Sequence, residues 1–342
     1  MSLRRVNAPS IANPASPTPA SEKEFRSHAL VLPQAAAGLR FDQALARALP
    51  QYSRTLLSAW IAAGSVQVDG RPLRGKQKVL GGERVRIEAS IERTAQVTAE
   101  IMPLTVRYRD RALLVIDKPA GLVVHPGAGN PRHTLQNALL GLDPRLALVP
   151  RAGLVHRLDK DTSGLILVAR TLEAHVALTA ALAARAIRRE YFAVCSGRLT
   201  AGGTVDAPIA RHRTQRTRMT VRGGGRRALT HYRLVRRFRA HTLVRVRLET
   251  GRTHQIRVHL AHLGFPLVGD PVYGGRRRIL EGTTPALAAL LREFPRQALH
   301  AAHLALTHPR SGLELEWESP LPLDMQRLLA ALEADAAEGD RR

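Results

Sequence analysis

Between residues 113 and 317 one kind of segment keeps recurring, a short apolar run rich in Val, Ile and Leu, and this recurrence limits the fold more than any other feature of the chain. Residues 113–116, 165–168, 191–194, 228–235, 243–248, 299–306 and 313–317 all read as strands. Helical spacing is confined to about 134–142, 172–186, 253–263 and the region after Leu323. Consecutive strands without regular intervening helices predict an α+β domain on a largely antiparallel sheet. No internal repeat interrupts the pattern.

Before residue 92 the chain reads differently. Leu39, Ala44, Leu45, Ala48 and Leu49 recur at helical spacing, and Pro50 breaks the run. Ser53 is placed to cap a second helix carrying Leu56, Leu57, Trp60 and Ile61 up to Gly64. Val66 and Val68 alternate into an Asp69-Gly70 turn, and Val85-Arg86-Ile87 closes a second short strand after Gly81-Gly82. Two helices followed by a small hairpin, with Arg54, Arg71, Arg74, Lys76 and Lys78 on polar positions, resemble the S4 RNA-binding domain. The same cations also read as a plain solvated face. Gly70-x-x-x-x-Gly75-Lys76 imitates a phosphate loop, but Gln77 stands where Ser or Thr is needed and no helix follows, so nucleotide binding is set aside.

Lys and Arg number 52 against 28 Asp and Glu, a formal charge of +24. A polyanion is the expected partner. Only five of the 52 are Lys, and that bias by itself carries no functional reading. Cys195 is the only cysteine, which excludes an internal disulfide and a cysteine-based metal cluster and fits a cytoplasmic protein. Its neighbours Tyr191-Phe192-Ala193-Val194 mark it as a core thiol. No apolar stretch reaches the roughly 18 residues of a membrane helix, and the Pro-rich run after Arg4 and Arg5 has no hydrophobic signal core.

The segment Gly153-Leu154-Val155-His156-Arg157-Leu158-Asp159-Lys160-Asp161-Thr162-Ser163-Gly164 sets one carboxylate among cationic neighbours, ahead of a Thr-Ser-Gly turn and an apolar run. A carboxylate held near fixed cations and hydrogen-bond donors stays ionised, as a nucleophile must. From these residues alone a structural ion pair of Asp159 with Arg157 is an equally open reading. The whole string resembles the His-Arg-Leu-Asp-x-x-Thr-Ser-Gly signature of the RluA family of pseudouridine synthases. Further family marks follow in order: Val115 to Leu122 with Val124-His125-Pro126-Gly127, then Arg189-Glu190-Tyr191, then Thr250 to His259.

That resemblance implies a fold and a chemistry. The fold is a small N-terminal S4-like RNA-binding domain followed by a synthase domain with a long, mostly antiparallel mixed sheet and a central cleft. The expected boundaries are a disordered tail at 1–28, the S4-like domain at 29–91, a linker at 92–102, the catalytic domain at 103–332 and a flexible tail at 333–342. The reaction breaks the uridine N-glycosidic bond, turns the freed uracil and rejoins it to the ribose through C5, with no cofactor and no metal. Asp159 would be the nucleophile or the base that takes a ribose proton. Tyr191 would stack on the uracil and help remove the C5 proton, and Arg257 would pair with Asp159. Arg157 would enter the RNA helix where the target nucleotide leaves. His156, Arg252, His254, Gln255, Arg54, Arg71, Arg74 and Lys76 are the other expected RNA contacts. His254, His259 and His262 lack the companion ligands of a zinc site.

The same resemblance points to 23S rRNA, free or in the large ribosomal subunit during assembly, at the stem-loop that bridges to the small subunit. Another rRNA or tRNA site stays open. A monomer that binds neither a membrane nor a small-molecule substrate is expected. The segment of Arg276-Arg277-Arg278 followed by residues 279–295 reads as an insertion over the cleft. A non-catalytic rRNA-binding or assembly protein would share the charge and the S4-like unit but lack Asp159, Tyr191 or Arg257, and all three are present. A hydrolase using Asp159 with His156 would need a second carboxylate at a recognisable spacing.

Overall fold

Apolar spacing of three and four in two short segments, and strict alternation along 84–92, build the first of the two units into which the chain divides, Met1–Gln96 and Val97–Arg342. The computed structural model describes residues 23–339 except 51, 53, 93–96, 128, 216, 276–278 and 280. The first unit runs β1 (Lys23–Val31), α1 (Phe41–Ala48), α2 (Arg54–Ala62), β2 (Val66–Val68), β3 (Arg71–Pro72) and β4 (Arg84–Glu92). Its sheet has the order β1-β4-β2-β3, with antiparallel pairing throughout. Phe41 and Leu45 of α1, Leu57 and Trp60 of α2, and the inward residues Val66, Val85 and Ile87 share one core.

The tail expected at 1–28 is too long. Residues 1–22 lie outside the described ones, but 23–28 are the first six of the nine residues of β1, paired with β4 in the register Lys23↔Glu92 to Val31↔Arg84. The segment carries Lys23, Glu24, Arg26 and His28, and its Phe25 is exposed, so local alternation could not announce a strand. Its partner lies about sixty positions on.

The second unit runs β5 (Thr105–Arg109), β6 (Leu113–Lys118), α3 (Leu135–Leu142), β7 (Ser163–Ala169), α4 (Leu172–Ala183), β8 (Arg188–Ser196), β9 (Gly203–Asp206), β10 (Ile209–Arg211), β11 (Met219–Val221), β12 (Leu229–Arg237), β13 (His241–Leu248), α5 (Gln255–His262), α6 (Pro285–Glu293), β14 (Leu299–Thr307), β15 (Glu314–Glu318) and α7 (Leu323–Gly339). Nine strands form one mixed sheet in the order β5-β6-β7-β14-β8-β13-β12-β9, with β15 added beside β14. The β7 and β14 pair is parallel, and the other pairings described are antiparallel. Alternate residues of the central strands feed different layers. Ile166, Tyr191, Ala193, Val244 and Val246 pack with α3 and α5 on one face. On the other face Leu165 and Leu167 pack with α4, and Val194 and Leu243 pack with α6 and α7.

Three further expectations are corrected. Residues 333–339 are no loose tail but the last turns of α7, where buried Asp335 accepts the backbone N–H of Thr284 at 2.7 Å. Of the segment expected over the cleft, α6 does not lie there: its Leu287 and Leu291 pack with Met325 and Leu328 of α7, on the sheet face turned away from Tyr191. The triple arginine that opens that segment is outside the described residues. Val97 and Met102 pack on the second unit's core, which shortens the linker expected at 92–102.

One glycine fixes the joint of the sheet. Gly164 has φ +108° and lies opposite Ala301 in the β7 and β14 pair. A Cβ added there would stand 2.2 Å from the Ala301 carbonyl oxygen. Gly164→Ala therefore meets both a backbone clash and an unfavourable φ, and is expected to cost on the order of 3 kcal/mol. Thermal unfolding should show the second unit's transition shifted down by several degrees, and an unshifted transition would refute the close approach.

Candidate active site

The connection between α3 and β7 carries Asp159, and its path is held by hydrogen bonds from three separate places in the chain. The Thr162 N–H closes a turn onto the Asp159 carbonyl at 3.1 Å. Lys118 Nζ, at the end of β6, donates to the Lys160 carbonyl at 2.9 Å. Arg296 Nη1 donates to the Asp161 carbonyl at 3.1 Å, and Gln297 Nε2 to Thr162 Oγ1 at 3.1 Å. Lys118 is fully buried and also donates to the carbonyls of Pro119 at 2.7 Å and Leu122 at 2.9 Å, the three acceptors an ammonium can use. Burial pushes it down to about 7, against the pull of Asp161 and Asp159. Arg296 is anchored in turn by a two-pronged bond to Asp324, at 2.6 and 2.9 Å, in the first turn of α7.

The carboxylate itself faces Arg257 of α5. Arg257 Nη1 donates to Asp159 Oδ2 at 3.0 Å, while its Nε and Nη2 grip Asp270 at 2.7 and 2.9 Å. The side chains of Asp270 and Arg257 are 0 % and 5 % exposed, and that of Asp159 is 15 % exposed. The buried pair acts as a bracket for the half-open carboxylate. Burial alone would raise the Asp270 carboxyl. The Arg257 hydrogen bonds and charge, with the N–H groups of Tyr273 and Val272, override it and hold the carboxyl below its usual range. Arg257 is likewise disfavoured by burial, yet its two carboxylate partners raise it overall. Asp159 Oδ1 is left toward the cleft, 4.0 Å from His254 Nε2. The His254 Nδ1 meets Tyr273 Oη at 2.9 Å, and the Met219 N–H donates to the same oxygen at 2.9 Å. His254 has φ +56°. Burial, with Arg257 and Arg157 nearby, lowers its imidazole against the pull of Asp159 and Asp270.

A cleft of about 950 Å³ opens on the α3 and α5 side of the sheet and is lined by Asp159, Tyr191, Arg257, Arg157, Arg189 and His254 among others. Tyr191 projects from β8 into the core beside it and is 5 % exposed. Burial raises its phenol, Arg189 opposes that and Asp159 adds to it, so the ring stays neutral at pH 7. Arg157 is exposed at the rim, and the carboxylate pairs with Arg257, 98 positions away, rather than with Arg157 as the local reading allowed.

Two expected RNA contacts are otherwise engaged. Gln255 accepts from Thr250 Oγ1 at 2.8 Å and from the Arg252 N–H at 2.9 Å. It donates to the Leu229 carbonyl at 3.0 Å and to Thr230 Oγ1 at 2.9 Å. Four bonds saturate the amide, so Gln255 is a clamp on the turn before α5 and not an RNA ligand. His156 Nε2 accepts the Leu167 N–H at 2.9 Å. Burial first and Arg189 second push its imidazole down to about 3, which makes it a neutral brace for β7. Arg252 is half-buried, with Nε donating to the Arg227 carbonyl at 3.0 Å, and lines the cleft. Arg71, Arg74 and Lys76 are exposed on the first unit, while the side chain of Arg54 is outside the described ones.

Sequence reasoning missed Asp270, Lys118, Arg296 and Gln297 as site residues. Gly-Asp-Pro at 269–271 has the composition of a turn. Nothing local says that its carboxylate is buried against an arginine 13 positions earlier.

Comparison with known proteins gives consistent matches. Residues 112–262 match the model of the RNA pseudouridylate synthase family, and 39–85 match the S4 domain. A relative from Xanthomonas campestris pv. campestris named ribosomal large subunit pseudouridine synthase D is 55% identical over 307 residues, 90% of this chain and 93% of that protein. The protein of the same name from Escherichia coli strain K12 is 54% identical over 302 residues, 88% of this chain and 93% of its own length. Among solved structures, human RNA pseudouridylate synthase domain containing 4 superposes with a TM-score of 0.55 at 27% identity, covering 67% of this chain and 93% of that one.

Proposed function

The chain belongs to the RNA pseudouridylate synthase family and is an RNA pseudouridine synthase, and from that premise we propose that it isomerises uridines of large-subunit ribosomal RNA with Asp159 as the essential carboxylate. The choice of RNA rests on relatives more than half identical along nearly their whole length that carry that substrate in their names. The choice of residue rests on one observation, the carboxylate of Asp159 bracketed by Arg257 and Asp270 in a cleft beside Tyr191.

Isomerisation needs no net oxidant and no added group. The bond between ribose C1′ and uracil N1 breaks, a bond from C1′ to C5 forms, the C5 proton leaves and N1 takes one up. Arg257 occupies Oδ2 of Asp159, so Oδ1 is the oxygen that meets the ribose, by attack at C1′ or by removal of a ribose proton. The neutral phenol of Tyr191 supplies a flat face for uracil and an oxygen to pass the C5 proton onward, directly or through water. A uridine inside a stem must be flipped out first, and exposed Arg157 at the rim is placed to fill the gap. In the first unit Arg71, Arg74 and Lys76 add phosphate contacts. Within the family reading, the stem-loop that bridges to the small subunit is the proposed target.

The test is pseudouridine mapping of large-subunit rRNA from a strain lacking this gene, with and without the gene restored. Loss of pseudouridine at the bridge stem-loop and its return on complementation are expected. A map unchanged by the deletion would overturn the substrate, and a loss at some other rRNA or tRNA position would relocate it.

A further inference from the structure

Arg189 is used by neither the reaction chemistry above nor the side-chain hydrogen bonding of the fold. It lies on β8 two residues before Tyr191, on the same face of the strand, and its side chain enters the wall of the cleft. The residue is 7 % exposed. Its Nε has no hydrogen-bond partner, and among the described residues no carboxylate pairs with its guanidinium. Glu190, the acid next to it, projects to the opposite face and is bound by Arg245 Nε at 2.8 Å. His156, close enough to feel the guanidinium's charge, cannot accept from it: Nε2 uses its lone pair on the Leu167 N–H, so Nδ1 of the neutral ring carries the proton. A buried guanidinium without an anion is costly, and the cost falls when one arrives.

Arg189 and bare backbone meet at the cleft wall. A Cβ added to Gly251, in the turn before α5, would stand 3.1 Å from Arg189 Nη1, so the guanidinium lies directly under a residue with no side chain. Gly251 itself is exposed at the cleft. Bare backbone over a cation is how a chain admits a bulky anion at close range. Two residues of strand separate Arg189 from Tyr191 by about 7 Å, close to the span from a nucleobase to the phosphate of its own nucleotide.

We propose that Arg189 and the backbone at Gly251 form a phosphate site that grips one of the two phosphates flanking the reacting uridine. The proposal rests on the reading of the cleft as the uridine site. It makes Arg189 an RNA-binding residue that draws the flipped nucleotide into register with Asp159, separate from the rim cation Arg157.

Binding can test it without turnover. In an Asp159→Asn background, affinity for a uridine-containing large-subunit rRNA stem-loop is measured across a salt titration. Arg189→Gln should weaken binding about tenfold and reduce the salt slope by about 1, and Arg189→Lys should restore the slope. An unchanged slope, or a Lys variant no better than Gln, overturns the site. A second arm keeps Arg189 and neutralises the RNA instead, with a single methylphosphonate on either side of the target uridine. One of the two positions should cost about tenfold with Arg189 present and nothing further with Arg189→Gln. No cost at either position, or costs that multiply with the mutation, overturns it even if Arg189→Gln folds poorly. A wrong choice of target RNA would show separately, as absent pseudouridine formation by the unmutated enzyme on that stem-loop.

Discussion

Asp159→Asn is expected to lower kcat for pseudouridine formation by at least about 10⁴-fold while leaving RNA affinity within about threefold. The two side chains are nearly isosteric, and an amide oxygen can still accept from Arg257 Nη1, so the loop, the cleft and the Arg157 rim are untouched. What is lost is the anionic oxygen that faces the ribose. The turn that carries it is fixed by Lys118, Arg296 and Gln297 through backbone and Thr162 contacts, none of which involves the Asp159 carboxylate. Folding should therefore be preserved, and single-turnover conversion of a stem-loop RNA beside a binding isotherm separates the two effects. Residual activity within a hundredfold of the wild type would remove Asp159 from the chemistry. A parallel collapse of binding would make it a structural ion-pair partner, the reading that the local sequence left open.

Asp270→Asn should have the largest effect on stability, a loss of about 3–5 kcal/mol, and should depress activity as well. The Asp270 side chain is 0 % exposed and accepts two bonds from Arg257 and the N–H groups of Val272 and Tyr273. An amide removes the counter-charge from a buried guanidinium and turns one acceptor into a donor facing another donor. Arg257 then has only the half-open Asp159 to pair with, so the oxygen geometry at the reaction site changes too. The folded-state carboxyl of Asp270 lies below its ordinary value. Its stabilisation is therefore complete above the unfolded value, near pH 4, and lost as pH falls through the folded one. Denaturant unfolding should show the wild type and Asp270→Asn far apart at pH 7 and converging on acidification. A constant gap down to pH 3 would contradict the charge argument.

The long apolar strands of the second unit were legible because their signal is local, whereas β5, β9, β10 and β11 were not read. Residues 165–168 and 243–248 announce themselves by composition, and the structure places β7 and β13 over them with one or two residues added at the ends. β1 was illegible for the converse reason, since only its pairing with β4 makes a strand of so polar a segment. The segment that holds α6 was read as an insertion over the cleft; the apolar stripe of α6 fits any apolar surface, and only the fold determines which one covers it.

The same division runs through the site. Asp159, Tyr191, Arg157 and Arg257 stand in contiguous strings, and the identity of the family follows from the order and wording of those strings alone. Which cation holds the carboxylate was not legible from local spacing, and only the family resemblance named Arg257. Arg157 is two residues from Asp159 and points to the rim, whereas Arg257 is 98 positions away and within hydrogen-bond reach. Gln255 and His156 looked like ligands and became braces once buried acceptors and donors were within their reach. Arg189 is the opposite case, given no role in the sequence reading beyond its place in the Arg-Glu-Tyr mark, and its lack of a counter-ion exists only in three dimensions. By itself the sequence determined the central strands, the chemistry available and the family, because these depend on residue type and short spacing. Burial decided the rest: the worth of a charge depends on which groups surround it out of water, and those groups are brought together from distant parts of the chain by the packing of the sheet.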